Sequence, residues 1–95
     1  MLTEPISVDV FVKQAFESLQ VSALVSDWMV DLDELRGVIA RNLREMGIFQ
    51  VRPNQSDTVI TAIVEQLRWS PEVKKLIERA EAIEKQRLRT RHSEV

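Results

Sequence analysis

Along most of this chain apolar residues return at every third or fourth position, and little interrupts the rhythm. Only two glycines and three prolines punctuate the 95 residues. A period near 3.6 places such residues on one side of a helix, whereas a strand needs strict alternation. Few breakers also favour a small number of long helices over many short strands. Val8, Phe11, Val12, Ala15, Phe16 and Leu19 fall on a stripe about 140° wide around a helical wheel. This predicts a first helix over about 8–20, with Ser7 or Asp9 as its cap and Pro5 barring backward extension.

The segment 21–30 breaks the pattern. Val21, Leu24 and Val25 project away from the first stripe if the helix continues. A break near Gln20, followed by a short helical turn carrying Leu24, Trp28 and Met29, accommodates them. The second predicted helix, about 32–46, has the best-marked ends. Val30-Asp31-Leu32-Asp33-Glu34-Leu35 reads as a capping box with a hydrophobic staple: Asp31 caps, Glu34 reaches back, and Val30 packs on Leu35. Leu32, Leu35, Val38, Ile39, Leu43 and Met46 line its apolar face, and Gly47 supplies a left-handed stop with Ile48 touching the last turn. Asn42 also falls on that face, which predicts an amide hydrogen-bonded within the core.

Residues 48–53 read as extended or turn-like, because Pro53 disfavours helical geometry at Arg52. A third helix, about 56–68, uses Val59, Ile60, Ile63, Val64 and Leu67. Ser70-Pro71-Glu72 then marks a fourth start, with proline at the first helical position, where its missing N–H costs nothing. Val73, Leu76, Ile77, Ala80 and Ile83 line this helix, about 71–88, with Leu88 a further candidate for the same face. Glu84 and Arg87 occupy the same stripe, so the apolar face ends near Ile83 and the helix projects beyond the core. The expectation is an all-α protein without sheet: a small bundle of four helices, or five if 21–30 adds one, with short connections. Residues 1–90 form the single helical domain and 91–95 a frayed tail.

Composition narrows the function classes. Length supports one domain, burying about two-thirds of the unfolded surface. With no cysteine, disulfides, thiolate zinc sites and cysteine nucleophiles are excluded, and a reducing compartment fits. The start, Met-Leu-Thr-Glu-Pro, is acidic where an export signal needs positive charge, and apolar runs span only a few residues. A cytoplasmic protein with no membrane association is expected. The only histidine, His92, lies in the predicted tail, where nothing positions or orients it for proton transfer. Asp31, Asp33 and Glu34 can in principle meet a hard cation, but a calcium loop needs a longer alternating run, and the helix cap accounts for all three. No glycine-rich phosphate loop, nucleophile elbow or paired-histidine metal motif is present. No catalytic, cofactor-binding or metal-binding residue is assigned.

Two features remain. Val10, Val21, Leu24, Val25, Trp28, Met29, Phe49 and Val51 lie outside the four stripes; some must fill the core, but a small bundle has limited interior, and leftover apolar patches mark a partner or self-association. Trp28 and Trp69 each sit at a helix boundary, where an indole plugs one end of a core. Charge is also uneven. Residues 1–50 carry four basic and eight acidic side chains, net −4, and residues 51–95 carry nine and seven, net +2. Lys85, Arg87, Arg89, Arg91 and His92 follow one another with no acid until Glu94.

The reading is a non-enzymatic intracellular interaction module (an adaptor, regulator or small subunit) whose protein partner or second copy meets Leu24, Trp28, Met29 and Phe49. The alternative is a nucleic-acid-binding accessory protein using Lys85, Arg87, Arg89 and Arg91. The slightly acidic balance disfavours it, as does Glu72 in the first turn, where a recognition helix presents base-reading side chains. A third class, an enzyme using acidic residues in a cleft, has no motif behind it.

Overall fold

The computed structural model describes residues 4–93, with side chains as far as Leu88. Among the described residues the chain is a small all-α bundle: α1 (Val8–Glu17), α2 (Leu19–Val25), α3 (Leu32–Glu45), α4 (Ser56–Trp69) and α5 (Pro71–Ser93). One addition departs from the expected absence of sheet. β1 (Ile6–Ser7) and β2 (Gln50–Val51) pair antiparallel, Ile6 opposite Val51 and Ser7 opposite Gln50. The extended reading of 48–53 was visible locally, but its pairing partner lies more than forty residues away and is supplied by the fold. The Val8 N–H continues the ladder by donating to the Phe49 carbonyl at 3.0 Å.

The first helix ends earlier than its stripe. Ser18 is extended (φ −73°, ψ 153°), its hydroxyl donates to the Ala15 carbonyl at 2.5 Å, and its N–H donates to the same oxygen at 3.0 Å. A serine hydroxyl competing for backbone groups is a local reason for a helix to stop. The break falls at Ser18, not near Gln20, and it corrects two expectations. Leu19 turns outward at 85% exposure and the helical turn ends before Trp28 and Met29, while Val21 and Val25 are the members of this segment that fill the core. The buried face of α1 is otherwise as its spacing predicts, and Ser7 is the cap, accepting from the Val10 N–H at 3.3 Å.

Both ends of α3 follow from local chemistry. The Asp31 carboxylate accepts from the Asp33 N–H at 2.9 Å. Glu34, expected to reach back to the cap, instead faces Arg79 of α5 at 3.9 Å, so only the forward half of the capping box forms. Gly47 takes φ +89°. Its N–H donates to the Arg44 carbonyl and the Ile48 N–H to the Leu43 carbonyl, both at 2.9 Å; this pair of bonds is the Schellman stop. Leu35, Ile39, Ala40 and Leu43 are buried, while Leu32 and Met46, at the two ends of the expected stripe, are exposed, and Asn42 is only half-buried. An α-helix keeps its face towards a neighbour only over the length the neighbour covers.

The core joins these residues to Val51 of β2, Val59, Ile63 and Leu67 of α4 and Val73 of α5. α1 packs chiefly on α3. Ion pairs Arg41–Glu72 and Glu34–Arg79 link α3 to α5 with one number rising as the other falls, so the two helices run antiparallel. At 23 residues α5 is about 35 Å long and runs past the expected end at 88. Its far half passes the first turn of α3 and leaves the core behind. The Cα radius of gyration is 16.0 Å, with extents of 60 × 25 × 17 Å, against about 12 Å for a compact domain of this length.

A candidate docking groove

The segment between α2 and α3 turns back towards α5. The Trp28 N–H donates to the Val25 carbonyl at 3.0 Å, and the chain then reaches the Asp31 cap outside any helix, with a bend at Val30. That path lays Met29, Val30 and Asp31 beside the middle of α5, opening a groove of about 250 Å³ whose other wall carries Leu76, Ala80 and Ile83. Its floor is apolar. Met29 is 63% exposed and Ile83 54%. Its rim is charged on both sides, by Asp31 and Glu34 from α3 and by Arg79, Glu84 and Arg87 from α5. Arg79 faces Glu34, and Arg87 faces Glu84 at 3.6 Å within the helix. These exposed pairs orient side chains but stabilise little.

The four residues proposed from sequence as partner contacts separate here. Leu24 and Trp28 are half-buried and pack on the core, so truncating either removes folding contacts first. Met29 lines the groove. Phe49 is 62% exposed but belongs to the turn before β2, outside the groove. The structure therefore brings one of the four to the groove and adds Val30, Leu76, Ala80 and Ile83. Ile83 carried a sequence signal, as the last apolar residue of a stripe that Glu84 and Arg87 then interrupt. Val30 carried none, because its role as a staple predicted burial against Leu35.

Of the other residues left outside the stripes, Val21, Val25 and Val51 are core and Val10 is exposed. The two tryptophans also differ. Trp28 closes one edge of the core as expected, but Trp69 is 70% exposed, because α4 ends there and α5 leaves through the tight turn at Ser70. Trp69 and Met46 border a shallow pocket of about 300 Å³. The amide oxygen and nitrogen of Gln66, which also lines that pocket, are buried with no hydrogen-bond partner in the structure.

On α5, the Lys85 and Arg87 side chains are exposed, while those of Arg89 and Arg91 lie outside the described residues. Among the described residues no group of three His, Cys, Asp or Glu side chains is placed to hold a metal ion, and no helix is long and apolar enough to cross a membrane. No protein-family model, curated protein or solved structure matches the chain.

Proposed function

We propose that this chain is a non-enzymatic interaction module, an adaptor, regulator or small subunit that docks a protein through the groove between Met29 and Ile83. The observation that carries the reading is the exposure of two large apolar side chains on facing walls of one groove, framed by charges of both signs. Interfaces are built this way, with an apolar centre surrounded by a polar rim that sets register. A cytoplasmic setting suits a chain without cysteine.

A photo-crosslinking amino acid at Met29, compared with one at the exposed Lys13 of α1, tests it. Discrete protein adducts are expected from position 29 and not from 13. Equal or absent adducts at both positions overturn the reading. The nucleic-acid alternative is tested by titrating labelled DNA and RNA at near-physiological salt. Submicromolar binding that vanishes when Lys85, Arg87, Arg89 and Arg91 are neutralised, and that falls steeply with salt, would replace the proposal.

A further inference from the structure

We infer that the occupant of the groove is a second copy of this chain, whose α5 lies antiparallel to the first with Ile83 near a two-fold axis. The inference rests on the groove being a docking site and adds the partner.

Area is the first argument. A monomer of 11.0 kDa exposes about 5,600 Å². This chain exposes 7133 Å², an excess of about 1,500 Å², where a stable interface takes about 800 Å² from each partner. Outer α5 contributes to that exposed surface. α5 is held to the bundle at its near end by buried Val73 and half-buried Leu76 and Ile77, whereas Ile83 and Leu88 further out are 54% and 50% exposed. A helix of this length with an unmatched apolar edge resembles half of a two-helix interface.

Charge is the second argument, and it chooses both the partner and the direction. Residues 85–93 of α5 hold four cations, Lys85, Arg87, Arg89 and Arg91, and no acid. A parallel pair would set these four against four. Pairing antiparallel about Ile83 sets them instead alongside 75–81, where Glu78 and Glu81 alternate with Lys75 and Arg79 and Lys85 comes opposite Glu81, and over the first turn of α3, whose Asp31, Asp33 and Glu34 make the combined surface acidic. Opposite charges across an interface fix register and suppress the wrong orientation. One two-fold operation satisfies both ends at once, as a self-complementary surface requires. The chain thus carries, on one helix and the helix start beside it, the two halves of a single contact.

The experiment is molar mass by sedimentation or light scattering of the full chain, from low micromolar to several hundred micromolar. A rise towards twice 11.0 kDa with concentration is expected. Ile83→Asp should weaken association by at least about tenfold, since central apolar anchors dominate such interfaces. Its circular dichroism and Tm at low concentration should match those of the wild type, because the side chain is exposed. Lys85→Glu, and separately Glu81→Lys, which face each other in this register, should each weaken self-association, and mixing the two variants should restore a heterodimer. A chain that stays at 11.0 kDa throughout, or a dimer indifferent to Ile83→Asp or to reversal at 85 and 81, overturns the inference. The crosslinker at Met29 separates the two levels. A monomeric chain that still crosslinks a different protein loses the second copy but keeps the docking groove, and a monomer without adducts loses both.

Discussion

Two helices that lie side by side in this molecule are built on opposite terms. α3 is 14 residues long, capped by Asp31 and stopped by Gly47, with Leu35, Ile39, Ala40 and Leu43 buried along its length. α5 is 23 residues long, yet among its described side chains only Val73 is fully buried. Both have helical periodicity and a marked start. Helix formation is therefore not what distinguishes them; the number of neighbours is. α3 is covered by α1 on one side and by α5 on another, whereas the outer half of α5, past the first turn of α3, leaves Ile83 and Leu88 exposed. The contrast teaches that periodicity reports which side of a helix can be buried, and only packing decides how much of it is.

The sharpest way to break this contrast is to truncate one side chain in each helix. Leu43 is fully buried, and Leu43→Ala should cost about 2–5 kcal/mol through lost transfer free energy and the cavity left behind. Ile83→Ala, measured under monomeric conditions, should change stability by less than about 0.5 kcal/mol. Urea denaturation of both variants measures the difference, and equal losses would mean that the outer half of α5 is packed after all.

The glycines of α3 sharpen the comparison from the backbone side. At Gly47 a Cβ meets nothing within 4 Å, so any penalty comes from φ +89° alone. Gly47→Ala should therefore cost about 1–2 kcal/mol, the price of the left-handed region for an L-residue. Gly37 lies mid-helix, also with nothing within 4 Å, and Gly37→Ala should stabilise by about 0.5–1 kcal/mol. Opposite shifts in Tm are the expected result, and shifts of the same sign would refute the assigned helix end.

A further substitution concerns the start of α3. Asp31→Ala removes the bond to the Asp33 N–H and should cost about 1 kcal/mol. Added calcium or magnesium should leave the wild-type Tm unmoved, whereas a rise absent from the mutant would reassign Asp31, Asp33 and Glu34 to a cation.

The candidate groove was half legible. Met29 stood out because it fits no stripe, and Ile83 because its stripe fails just beyond it. That these two residues share a groove was not legible, since they are 54 positions apart and meet only because α3 and α5 run antiparallel. Leu24 and Trp28 fitted no stripe either, but the turn at Ser18 brings them onto the core, where they stabilise the fold.

What the sequence by itself determined is everything carried by neighbours within a turn or two. That covers the helical character, the Ser7 and Asp31 caps, the Gly47 stop, the restart at Pro71 and the buried faces of α1 and α4. These depend on backbone geometry and on side chains three or four positions apart, so a local reading suffices. The tertiary structure alone decided the β1–β2 pair, the burial of Val21, Val25 and Val51, and the outward turn of Leu19 and Trp69. Each depends on which distant element passes beside a residue, and burial is a property of that juxtaposition, which no spacing within one helix encodes.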